Sequence, residues 1–137
     1  MGIDADFVNA LESISGTIMK YKIEAINSLN ADISMSHFIY IEAINKFDKP
    51  TFSEVAEKLN VSKPAVTIAV NNLIKLGFVE KIQLDEDKRI FRLRLTLKGS
   101  HIIDAYKSAH ENFINKIKSI LDEQDYTQLV NLLKKIS

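Results

Sequence analysis

The sequence predicts a mainly α chain with one small β-hairpin, on three observations. Apolar residues recur at spacings of three and four over most of the 137 residues, the period of amphipathic helices. Two short β-branched and aromatic runs, "FVEKIQL" and "IFRLRL", flank the charged turn "DEDKR". Just before them, "TFSEVAEKLNVSKPAVTIAVNNLIKLG" reads as two short helices joined by a tight connection.

The elements follow in order. Ile3, Phe7, Ala10, Leu11, Ile14, Ile18, Tyr21, Ala25 and Leu29 form one stripe of a long helix over 3–29, which "NADIS" breaks. A second helix starts at Ser34 or Ser36 and runs to Phe47; "DKPT" ends it, because Pro50 disfavours the helical conformation of the residue before it. Thr51 or Ser53 is placed to cap a third helix, with Phe52, Val55, Ala56 and Leu59 inward. Asn60 and Val61 form the turn. Ser62 caps the fourth helix, with Lys63 and Pro64 in its first turn, where proline's missing N–H has no intrahelical partner to lose. Val66, Ala69, Val70 and Leu73 face inward, and Gly77 ends the helix by admitting a positive φ. In the second β run Phe91, Leu93 and Leu95 share one face, and Ile90, Arg92 and Arg94 the other. Thr96 caps a long helix through Ile102, Ile103, Tyr106, Ala109, Phe113, Ile117 and Leu121. Asp122 caps the last helix, and Asp125 suits its positive end. Tyr126, Leu129, Val130, Leu132, Leu133 and Ile136 form its apolar surface.

Composition removes several function classes. The absence of cysteine excludes disulfides, thiolate metal ligands and a thiol nucleophile. No apolar run reaches the roughly 20 residues of a membrane span, and the acidic start "MGIDADFVNAL" does not read as a signal peptide. A cytoplasmic protein is expected. No Ser/His/Asp order, glycine-rich phosphate loop or zinc-protease motif occurs, so the chain does not read as an enzyme and no cofactor is expected. The net charge of zero is a cancellation: residues 49–99 hold ten Lys/Arg against six Asp/Glu, and the rest of the chain eight against twelve. A basic middle between acidic ends suits one surface to phosphates.

Helix, turn, helix and basic-tipped hairpin is the order of a winged helix-turn-helix, whose second helix enters the DNA major groove. Pro64, Thr67, Ile68, Asn71, Asn72 and Lys75 lie on the side of that helix away from the core. Amides bond adenine edges, methyls meet thymine, and lysine meets phosphate. Ser62, Lys63 and Lys88 flank this face as further DNA-contact candidates. The competing class is a winged helix for protein binding, against which the basic residues Lys88, Arg89, Arg92 and Arg94 argue.

The stretch "FSEVAEKLNVSKPAVTIAVNNLIKLGFVEKIQLDEDKRIFRLRLTLKG" resembles the winged helix of the MarR family of bacterial transcription regulators. Its wing has the family's Asp-x-Arg at Asp87 and Arg89, and Leu95 to Gly99 give the closing Leu-Thr-x-x-Gly. The resemblance covers nearly the whole chain. It implies a homodimer joined by the helical regions 1–33 and 100–137, with 34–99 as the DNA-binding region. It also implies that Arg89 enters a minor groove while Asp87 steadies it. The implied partner is double-stranded DNA carrying an inverted repeat. Many members carry an arginine after the helix threonine and an Asp-Arg pair further on, where this chain has Ile68, Asn71 and Asn72. Loss of those arginines removes common guanine contacts and tilts the expected site toward A·T. "VNNLIKLGFVEK" also looks like the streptococcal fatty-acid-synthesis repressors of this family.

MarR-like proteins commonly bind small aromatic or lipid-like effectors between the dimerisation helices and the winged helix. Tyr21, Met35, His37, Phe38, Tyr40 and His101 are expected near that junction, though helices at this spacing need large side chains regardless of a ligand. His37, His101 and His110, with Glu42, Asp104 and Glu111, are the residues a metal-responsive regulator would use. They lack a His-x-x-x-His or His-Glu pair at helical spacing, so no metal is expected.

Overall fold

The computed structural model describes residues 2, 4–29 and 33–137. Ile3 and the Asn30 to Asp32 part of the expected break lie outside the described residues. The elements are α1 (Ala5–Asn27), α2 (Met35–Lys46), α3 (Phe52–Leu59), α4 (Lys63–Lys75), β1 (Val79–Ile82), β2 (Arg92–Leu95), α5 (Leu97–Ile120) and α6 (Glu123–Ile136). The chain is therefore mainly α with one antiparallel hairpin, β1–β2. Among the described residues no helix is long and apolar enough to cross a membrane.

The helix ends sit where side chains satisfy the unpaired N–H groups. Asp4, Ser34, Thr51, Ser62 and Asp122 cap α1, α2, α3, α4 and α6. Thr51 and Glu54 form a reciprocal capping box. Asn60 closes α3 in the left-handed region at φ 53°, and Gly77 does so after α4 at φ 84°. Thr96 begins α5, accepting the Gly99 N–H on its hydroxyl at 3.2 Å.

Two compact units divide the chain. Leu29–Asp104 holds α2, α3, α4, the hairpin and the start of α5; Met1–Ser28 with Ala105–Ser137 holds α1, the rest of α5 and α6. The first is a packed winged helix. Phe38, Ile41 and Ile44 of α2, Val55 of α3, Val66, Val70 and Leu73 of α4, and Phe78, Leu93 and Ile102 are buried together as its core. Each such side chain contributes about 1.5–3 kcal/mol of burial. The hairpin pairs Val79 with Leu95, Glu80 with Arg94, Lys81 with Leu93 and Ile82 with Arg92. A bridge between Thr51 and Arg92 and the Leu93 N–H donating to the Pro50 carbonyl at 2.8 Å attach it to the segment before α3.

The unit of α1, α6 and most of α5 is different. Among its described residues only Ile26 and Ala109 are buried hydrophobics, while Phe7, Leu11, Ile14, Leu132, Leu133 and Ile136 are exposed. The β face expected from Phe91, Leu93 and Leu95 is shorter than the sequence suggests. Phe91 lies outside the ladder and is exposed, because pairing starts only at Arg92.

Candidate nucleic-acid interface

The candidate surface lies wholly within the Leu29–Asp104 unit. α4 offers two sides fixed by its period: Val66, Val70 and Leu73 are fully buried, while Pro64, Thr67, Ile68, Asn72 and Lys75 are exposed. Asn71 is half-buried, so Asn72 is the more accessible amide. Ile68 is 66% exposed, an apolar group on an otherwise polar face. The Thr67 hydroxyl donates to the Lys63 carbonyl at 3.1 Å, which commits its proton to the helix. The Ser62 hydroxyl is likewise engaged, accepting the Ala65 N–H at 3.2 Å.

The wing tip is built around one fork. Arg89 donates to Asp87 Oδ1 from its backbone N–H at 2.9 Å and from Nε at 3.0 Å, and to Oδ2 from Nη2 at 2.8 Å. This holds the Asp87 carboxyl below its ordinary range, first through the Arg89 side chain and then its N–H, and raises the Arg89 guanidinium. The arginine is nonetheless 90% exposed and free on its outer side. Gln83 Nε2 donates to the Lys88 carbonyl at 2.6 Å, bracing the loop from the other strand. A cleft of about 310 Å³ between Lys63, the Thr51–Ser53 start of α3 and Arg89, Ile90 and Phe91 separates the two helix N-termini from the wing.

The structure corrects the basic wing read from the sequence. Arg92 is paired with Asp85, Nε to Oδ2 at 3.0 Å, and also donates to the Lys49 carbonyl at 3.1 Å. Arg94 pairs with Glu80, its cross-strand neighbour. Arg92 is half-buried and held on two sides, and Arg94 is exposed but matched by Glu80; at the wing tip the outward cations are Lys88 and Arg89, the latter also matched by Asp87. The sequence showed the charges but not the partners, because Asp85 reaches Arg92 only once the loop has folded back.

Three residues that sequence reasoning left without a role hold the interface together. Lys98 donates to the Leu76 carbonyl at 2.7 Å, closing the C-terminus of α4. Lys81 sits over the rings of Phe52 and Phe91, 5.5 Å from each centroid. Lys49, at φ 46°, turns the chain into Pro50. Neighbouring charges and aromatics were visible in the sequence; their pairing was not.

The expected effector residues fall in both units. Tyr21 belongs to the α1 unit, its ring 5.7 Å from that of Phe113. Met35, His37 and Tyr40 are half-buried on α2, Phe38 is core, and His101 is exposed on α5. His37 Nδ1 is buried with no hydrogen-bond partner among the described residues. No three His, Asp or Glu residues converge on a metal position among the described residues.

Residues 31–90 match the sequence pattern of the MarR family. The HTH-type transcriptional regulator BilQ of Clostridioides difficile is 31% identical over 96 residues, covering 70% of this chain and 65% of that protein. The match therefore spans just under two thirds of that relative's length. Streptococcus pneumoniae FabT, solved in complex with DNA, is 29% identical with a TM-score of 0.77 over 97% of this chain and 94% of that one. RV1404 of Mycobacterium tuberculosis shares the fold, with a TM-score of 0.85 at 16% identity over 99% of this chain and 94% of that one. With a winged helix, an Asp-Arg pair on its wing and these relatives, the chain is similar to the MarR family of transcriptional regulators over residues 31–90, and the relatives it matches are transcriptional regulators.

Proposed function

We propose that the chain is a cytoplasmic, ligand-responsive repressor that binds an inverted-repeat operator as a homodimer. The observation that carries this reading is the exposed polar face of α4 set in one unit with the Arg89 fork. α4 enters the major groove, Asn72 reads adenine and Ile68 meets a thymine methyl. Lys63 and Lys75 hold phosphates, and Arg89 enters the adjacent minor groove. The DNA complex of FabT, a relative across nearly the whole chain, supports the assignment. Binding-site selection with the full chain tests it: two half-sites about ten base pairs apart, centre to centre, are expected. Asn72→Ala is expected to relax preference at one base pair per half-site by about 1–3 kcal/mol. Half-buried Asn71 should matter less. Enrichment of no common sequence would refute the reading.

Dimerisation follows from the apolar side chains that α1 and α6 leave exposed, Phe7, Leu11, Ile14, Leu132, Leu133 and Ile136. Two-fold proteins cover such surfaces against a second copy. Sedimentation at micromolar concentration should give a dimer, and a stable monomer would exclude this arrangement. Ligand response rests on His37, whose buried, unpartnered Nδ1 is available to a polar group of a small aromatic or lipid-like effector.

A further inference from the structure

We propose that Arg92 is a strut that fixes the wing loop 83–91 to the body of the winged helix, a positioning residue acting through Arg89 and not itself a phosphate contact. The inference rests on the reading of the wing as a DNA contact. The β ladder ends at the pair Ile82–Arg92, so the loop beyond it has no strand partner to hold it. Arg92 stands at that last rung, and its guanidinium divides its donors between the two sides. Nε and Nη2 take Asp85 of the loop, at 3.0 and 3.5 Å. Nη1 takes the Lys49 carbonyl at 3.1 Å, with Glu54 Oε1 at 4.0 Å. Both of these anchors belong to the α3 end of the body. Lys49 is the residue turned to φ 46°, and Glu54 is the acidic member of the α3 capping box.

The exposures separate the two wing arginines. The Arg92 side chain is 29% exposed and that of Arg89 is 90% exposed. Arg92 could reach a phosphate only by giving up Asp85 and Lys49, whereas Arg89 keeps its fork to Asp87 and still presents its outer edge. A planar guanidinium can hold a carboxylate on one side and a carbonyl on the other; a lysine ammonium, a single point charge, cannot keep that geometry. The series runs from the body through Arg92 to Asp85, and from there along the loop to the Asp87–Arg89 fork.

Two variants break the strut from opposite sides: Arg92→Met in β2 and Asp85→Asn in the loop. In the free dimer each is expected to speed amide exchange over residues 83–91 about tenfold while leaving α3 and α4 protected. With operator DNA each is expected to weaken binding about tenfold, the scale of one misplaced charge-assisted contact. Neither should weaken it further in an Arg89→Ala background, since both act through that residue. The sign for Asp85→Asn is discriminating: removing a negative charge near DNA would by electrostatics alone tighten binding. Tighter binding by Asp85→Asn, unchanged loop exchange in both variants, or losses that multiply with Arg89→Ala would each overturn the proposal. If Arg89→Ala leaves affinity intact, the wing reading itself is wrong and the proposal falls with it. Exchange in the free dimer would still show whether the loop is tied through Arg92, which tells the two failures apart.

Discussion

Gly99→Ala is expected to lower the melting temperature by about 10 °C, corresponding to about 3 kcal/mol in a chain of this size. A Cβ there would lie 2.2 Å from the Phe78 carbonyl oxygen and 3.3 Å from the Leu95 Cβ. The oxygen cannot retreat, because it already accepts the Thr96 N–H at 3.0 Å, and the Phe78 ring is fully buried. The first turn of α5 would have to lift instead. That would strain the Thr96 hydroxyl's bond to the Gly77 carbonyl and the Lys98 contact with Leu76. Gly16→Ala is the control. Nothing lies within 4 Å of a Cβ at Gly16, inside α1, so alanine should stabilise by about 0.5–1 kcal/mol through backbone entropy. Thermal unfolding followed by circular dichroism checks both signs. A Gly99→Ala protein melting with the parent would mean that the α5 start is not packed against Phe78 in solution.

Arg89→Ala is the second large effect, and it belongs to binding instead of folding. The side chain's only hydrogen bonds among the described residues go to Asp87, two residues away, and it touches none of the core. The melting temperature should stay with the parent, while operator affinity falls about ten- to a hundredfold, the scale of one charge-assisted contact. Fluorescence anisotropy and a thermal melt on the same sample separate the two. Equal losses in both would make Arg89 a structural partner of Asp87. The pair also fixes a pH expectation. The Asp87 carboxyl is depressed in the folded chain, so its contribution is complete above the unfolded carboxylate value and fades only as pH falls through the lower folded one. Between about pH 5 and 8 the fork stays ionised, and any change of affinity there must come from other groups.

Local chemistry was legible in the sequence where one residue's own conformation decides the outcome. Ser62 and Pro64 marked the start of α4, Gly77 its end, and Asp122 the start of α6; each acts on groups within four residues. The order helix, turn, helix and hairpin then supplied the fold. The Leu-Thr-x-x-Gly motif was legible only as a resemblance. Its physical reason, a carbonyl of Phe78 passing under Gly99, needs two segments brought together in space. The same limit governs the wing. Lys88, Arg89, Arg92 and Arg94 look alike as charges, and only the fold assigns Asp87 to Arg89, Asp85 to Arg92 and Glu80 to Arg94. Asn71 and Asn72 were equal by spacing, yet the first is half-buried and the second is open.

The internal pairing of Arg92 and Arg94 has a thermodynamic consequence for how the protein meets DNA. A cation already matched by a carboxylate displaces no condensed counterion when it arrives at the duplex. Of the proposed phosphate contacts, Lys63, Lys75 and Lys88 in each protomer therefore release ions to the solvent, whereas Arg89, held by Asp87, meets the groove as part of a matched pair. With about 0.9 of an ion released per phosphate neutralised, a dimer using these three lysines from each protomer has a logarithmic salt slope of about −5, where counting the three carboxylate-paired arginines as well would give about −11. Non-specific binding, which rests almost wholly on that release, is weakened the most. On the proposed reading, matching the wing arginines with carboxylates of the same fold thus lowers the affinity for bulk DNA and leaves a larger share of the binding free energy to the base edges along α4.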